Sequence, residues 1–185
     1  VPAQGALPAI TAEGSAEAWP GSATTPLLPP FDVFNKQTRY FEIFNRGDQP
    51  FVYTASADHP WIILSSSHGT VTDQERVDVS INWPELPYGQ HNGTVTVAAE
   101  RSEFKIGITA FRPEEPDPET VEGFVEADGY VSMEAVSYTG RHDSGERGWE
   151  QIEDYGRTGS GMRARAFTDA PPAVPGKDSP VLEYR

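Results

Sequence analysis

The chain has no cysteine. That excludes disulfides, thiolate nucleophiles and cysteine-based zinc sites together. Lysine is scarce, with Lys36, Lys105 and Lys177 set against eleven arginines. No apolar run approaches the length a membrane-spanning helix needs. Positive charge is outweighed two to one: 14 Lys and Arg against 28 Asp and Glu leave a formal charge of −14. A surface that acidic repels nucleic acid and anionic lipid, so neither nucleic acid nor membrane is an expected partner.

Paired metal-ligand spacing is also missing. His59, His68, His91 and His142 are scattered, and none has a second histidine at the spacing that puts two imidazoles on one ion. No metal and no cofactor is expected. A Ser144, His142 and Asp143 set is contiguous and has no nucleophile-elbow pattern, so it does not read as a triad. Glu153 and Asp154 are adjacent. A glycosidase needs two carboxyls flanking one bond, one of them kept protonated by its surroundings, so this pair reads as a solvated turn. No catalytic residue is assigned.

Glycine and proline number 17 each, which favours turns and short strands over helices. The strands are visible as alternation. "RVDVSINW" puts Val77, Val79, Ile81 and Trp83 on one face. "EFKIGITAF" does the same with Phe104, Ile106, Ile108 and Ala110, and "GTVTVAA" with Val95, Val97 and Ala99. "RYFEIFN" and "FVYTASA" add two more, and "NRGDQP", "SSSHGT" and "LPYGQHNG" lie between as turns. The expected fold is all-β. An immunoglobulin-like antiparallel β-sandwich over 27–111 is followed by a second, truncated β-sandwich unit over 121–185.

Residues 1–26 read as a connector with a short strand near Pro8–Glu13. "RPEEPDPET", 112–120, holds three prolines and four acids and reads as a stiff linker. Beyond it, "GFVEADGYVSMEAVSY" reads as a hairpin turning at Asp128-Gly129, with Val131, Met133 and Ala135 facing inward. "SGMRARAF" and "PVLEYR" supply two further strands.

Trp61 and Trp83 are candidate sugar-stacking platforms, with core packing the favoured alternative. Asn92-Gly93-Thr94 is a glycosylation sequon on an expected turn. Arg163 and Arg165, two apart, share one face of a strand. An arginine fork binds a carboxylate bidentately, so an acidic sugar suits them, and so do Glu150, Glu153 or Asp154 of the same unit. With Trp149 and Arg157 they form the candidate ligand-binding set, in and around "WEQIEDYGRTGSGM", residues 149–162.

Five stretches in order resemble the C-terminal part of glycoside hydrolase family 115, the xylan α-1,2-glucuronidases. They are "TAEGSAEAWPG", "LLPPFDVFNKQTRYFEIFNRGDQPFVYTASADHPWIILSSSHGTV", "VSINWPELPYGQHNGTVTV", "EGFVEADGYVSMEA" and "WEQIEDYGRTGSGM". The resemblance implies a non-catalytic accessory region of an enzyme that removes glucuronic acid or its 4-O-methyl ether from glucuronoxylan. It implies that the acid and base come from an upstream barrel domain, so no catalytic residue transfers to this sequence. The implied partners are that upstream catalytic domain, glucuronoxylan or xylo-oligosaccharide through the parent enzyme, and a second copy in a homodimer. The implied location is extracellular or periplasmic. "VSMEA" is also similar to lectin-like modules in which such a glutamate, here Glu134, helps hold structural calcium. A free-standing carbohydrate-binding module and a structural or dimerisation module are the alternatives. On this reading the chain is a fragment that begins after the barrel and ends inside the second sandwich.

Overall fold

A computed structural model describes residues 4–126, 129–155, 159–166 and 173–185. The described residues form thirteen strands and no helix. They divide into two compact units between Thr120 and Val121.

The first unit is built from two sheets. One holds β1 (Pro8–Ala12), β3 (Arg39–Asn45), β7 (Gln74–Ile81) and β5 (Ile62–Leu64), in that order and antiparallel throughout. The other runs β2 (Phe31–Asp32), β9 (Ser102–Arg112), β8 (Gly89–Ala99), β4 (Phe51–Ala57) and β6 (His68–Val71). Only β2 pairs parallel, with β9.

Alternation explains why these segments are strands. Val77, Val79 and Ile81 of β7 are buried, while Asp78 and Ser80 between them stay partly exposed. Val95, Val97 and Ala99 of β8 and Phe104, Ile106, Ile108 and Ala110 of β9 are buried in the same way. The buried faces of both sheets join in one hydrophobic cluster, with Ile10, Phe41 and Ile43 from one side and Phe51, Tyr53 and Val71 from the other. Two sheets sharing one core make a sandwich. Each fully buried Val, Ile or Phe contributes roughly 1.5–3 kcal/mol of transfer free energy.

The short strand expected near Pro8–Glu13 is β1, and the stretch around it, expected as a connector, does more than link. β1 pairs with β3 in the register Ile10↔Ile43, and Ala9 and Ile10 are both 0% exposed. Trp19 is buried too. It exchanges two backbone hydrogen bonds with Ile10, and its indole Nε1 donates to the Thr24 carbonyl at 2.7 Å. Glu13 then ties the end of β1 to β3, accepting from the Tyr40 amide at 3.0 Å and from Arg39 at 3.3 Å. The expected linker begins inside the sheet, since Arg112 is the last residue of β9. Asp117 caps a turn at its far end, where Glu119 N donates to Asp117 Oδ1 at 2.9 Å.

The second unit is β-rich but thinly covered. β10 (Gly140–His142) pairs with β13 (Val181–Glu183), and β11 (Arg147–Ile152) with β12 (Gly161–Ala166), each antiparallel. The two strands expected in "SGMRARAF" and "PVLEYR" are β12 and β13. The hairpin expected over 123–138 is not formed among the described residues. No strand lies there among the described residues, and Val131 and Met133 are 43% and 51% exposed instead of inward. Alternation makes a strand only where a partner strand pairs with it, and none of the described residues pairs with 131–135. Asp128 lies outside the described residues. Polar ties hold this unit instead: Tyr184 Oη donates to the Ala135 carbonyl at 2.7 Å, and Arg141 grips Asp143 with two bonds of 3.0 Å.

Candidate functional site

The β11–β12 hairpin carries most of the residues singled out by sequence. Its register places Glu150 directly opposite Arg163, and Gly148 opposite Arg165. Directly opposed and diagonal cross-strand neighbours lie within reach of each other. Accordingly Arg163 Nη2 donates to Glu150 Oε2 at 2.6 Å, and Arg165 Nη1 to Glu150 Oε1 at 3.1 Å. The hydrogen bond from Arg163 holds the Glu150 carboxyl below its ordinary range, and the Arg165 charge adds to the effect. One carboxylate thus occupies both guanidinium groups, the within-unit pairing weighed as the alternative to a uronate.

Trp149 is not brought to the arginines. It lies opposite Ala164, and successive side chains of a strand face opposite ways, so its ring and the arginines lie on different faces of the hairpin. Its indole Nε1 is shielded from solvent and meets no acceptor among the described residues. Arg157, the fourth candidate, lies outside the described residues. Glu153 and Asp154 are exposed in the turn after β11, with Asp154 at φ 52°.

The other candidates resolve individually. Trp61 is 3% exposed and belongs to the core. Asp143 is engaged by Arg141 and His142 faces Glu183 at 3.1 Å, so Ser144, His142 and Asp143 do not form a relay. Asn92 lies on β8 rather than in a turn, where its Oδ1 accepts from Thr109 Oγ1 at 3.0 Å. Among the described residues no three His, Asp or Glu side chains gather as a metal site.

A concave site does exist in the first unit, where sequence reasoning gave only one of its residues, Trp83. A cleft of about 370 Å³ is lined by Trp83 and Tyr88 from the loop after β7, Lys36 from the loop after β2, Arg112 at the end of β9, and Asp117 and Glu119 beyond it. Arg112 organises the wall. Its Nη1 donates to the Trp83 carbonyl at 2.6 Å and the Leu86 carbonyl at 2.9 Å, and its guanidinium lies 4.8 Å from the Tyr88 ring centroid. Tyr88 remains 58% exposed. Lys36 sits at φ 47°, a left-handed conformation uncommon for a residue with a side chain. Asp32 fixes that turn, its carboxylate accepting from the Phe34 and Asn35 amides at 3.0 and 2.8 Å. Four separated segments supply the cleft, so no local motif announces it.

Similarity to known proteins is informative for the second unit. Residues 123–185 match the model of the glycosyl hydrolase family 115 C-terminal domain. The match supports a family 115 C-terminal region over those residues. The match falls on the unit that holds β10 to β13 and the Glu150 cluster, and the first unit lies outside it. No curated protein shows significant similarity to the chain. Among solved structures, a Bacteroides ovatus xyloglucanase of glycoside hydrolase family 5, in complex with a XXXG heptasaccharide, is 16% identical with a TM-score of 0.39. The alignment covers 58% of this chain and 20% of that one, so the chain spans about a fifth of the enzyme's length. The periplasmic chaperone SfaE is 10% identical over 52% of this chain and 59% of its own, with a TM-score of 0.41. The E. coli chaperone DraB is 10% identical over 71% and 68%, with a TM-score of 0.37.

Proposed function

We propose that this chain is a non-catalytic accessory region of a glycoside hydrolase that removes glucuronic acid, or its 4-O-methyl ether, from glucuronoxylan. The family 115 match over residues 123–185 carries the reading. The chemistry of the described residues agrees with it. Three acidic side chains of the second unit are paired with arginines: Glu150 with Arg163 and Arg165, Asp143 with Arg141, and Asp178 with Arg147 at 3.3 Å. A general acid needs a raised pKa, whereas Glu150 and Asp143 are both pushed down by their arginine partners. The partner is then a catalytic domain of the same chain that supplies the paired carboxylates, and the setting is extracellular or periplasmic.

The strand order of the first unit supports an immunoglobulin-like assignment. With the short edge strands β2 and β6 left unlettered, β1-β3-β7-β5 corresponds to an A-B-E-D sheet and β9-β8-β4 to G-F-C. In this reading Arg163 and Arg165 are structural. Glu150 already offsets the charge of both guanidinium groups, and Trp149 faces away from them. The deciding experiment is to read the coding sequence upstream of Val1. A barrel domain with two carboxylates set to flank a glycosidic bond is expected there, and an unrelated upstream region would remove the proposal.

A further inference from the structure

We propose that the cleft between Tyr88, Trp83 and Lys36 binds a short segment of neutral saccharide. The inference stands on the first unit's geometry, which the family match does not cover, and it holds or fails independently of the parent activity.

Pyranose rings have apolar C–H faces and a rim of hydroxyls that both donate and accept. A site for them needs an aromatic surface, fixed in place, with charged or polar groups at its edge. Tyr88 supplies the exposed aromatic surface and Trp83 a half-buried second ring beside it. Rigidity comes from Arg112, which pins the 83–86 backbone by two carbonyl bonds and covers the Tyr88 ring. A wall held that way loses little freedom when a ligand arrives. Lys36 offers donors from a turn that Asp32 locks, and the carboxylates of Glu114, Asp117 and Glu119 offer acceptors.

Charge decides the ligand class. Two cations, Lys36 and Arg112, face three carboxylates, a net of one negative charge. Arg112 is already committed to carbonyls, so an anionic sugar or phosphate would meet more repulsion than attraction. No metal-binding trio exists here among the described residues. A purely apolar ligand would desolvate these five charged side chains without pairing them. Neutral hydroxyls satisfy the carboxylates and the ammonium together. The volume fits a short segment rather than a long chain.

The test uses the 185-residue chain with xylohexaose, cellohexaose and free glucuronate, followed by NMR chemical-shift titration and calorimetry. Saturable binding of at least one neutral oligomer is expected, with shifts at Tyr88 and Lys36 and little response to glucuronate. Tyr88→Ala should weaken that binding by about tenfold or more, the scale of one lost stacking contact. Lys36→Gly should also weaken it while leaving the unfolding midpoint unchanged or raised, because glycine relieves the positive φ. Failure of both oligomers to bind at concentrations up to roughly ten millimolar, the weak end of the affinity scale, overturns the proposal. So does binding that survives Tyr88→Ala unchanged, or a preference for glucuronate.

Discussion

Replacing Ile10 by alanine asks whether the first strand is part of the sandwich or a connector attached to it. Ile10 is 0% exposed, lies opposite Ile43, itself 0% exposed, and is bonded through its backbone to Trp19. Removing a buried isoleucine down to alanine costs about 2–5 kcal/mol, the transfer term plus the cavity that closely packed neighbours cannot close. With a urea dependence of about 1–3 kcal/mol per molar, the midpoint should fall by roughly 1–2 M. Tryptophan fluorescence suits the measurement, since Trp19, Trp61 and Trp83 lie in this unit and only Trp149 in the other. The control is Leu7→Ala, three positions earlier and 41% exposed, which should change stability by about 0.5 kcal/mol or less. A connector residue would behave as Leu7 does. If Ile10→Ala leaves the midpoint within error of wild type, β1 does not share the core and the four-strand sheet loses its first member.

Gly47→Ala should destabilise the first unit by about 1–3 kcal/mol, because a methyl group there would overlap the Gly5 carbonyl; a wild-type melting temperature would refute the close approach. Glu150 should titrate below the ordinary glutamate range in a carbon-detected NMR titration, and Arg163→Ala should return it toward that range. Because its folded pKa is lowered, its contribution to stability is present above the ordinary value and disappears as pH falls through the lowered one. Glu150→Gln should abolish that acid-side loss for the hairpin, and a persisting loss would place its origin elsewhere. Arg163→Ala and Arg165→Ala should leave affinity for any glucuronate-bearing oligosaccharide unchanged; a selective loss of affinity with intact folding would make them ligands rather than partners of Glu150.

Much of the first unit is legible in the sequence because one physical signal is strong there. Val77, Val79 and Ile81, or Phe104, Ile106 and Ile108, alternate with polar residues over long enough runs that burial of one face is implied. β1 is legible as a short strand near Pro8–Glu13, but its place in the sandwich is harder to see. "PAITA" is short, has one large apolar side chain, and sits in a stretch of small residues that resembles a loop. The alternation around Val131 and Met133 misleads in the opposite sense, since it needs a pairing strand that the described residues do not provide there. Arg163 and Arg165 share a face by spacing alone, but only the register with β11 reveals that Glu150 stands opposite them and that Trp149 does not. The cleft at Tyr88 is invisible locally, as its walls come from positions near 36, 83–88, 112 and 117–119 that only the closed sandwich brings together.

Incubating the purified chain with glucuronoxylan and measuring released uronic acid addresses the central claim most directly. A support region that leaves the chemistry to a partner domain should release none above the no-protein blank. Steady liberation of glucuronic acid by this polypeptide alone would contradict the account.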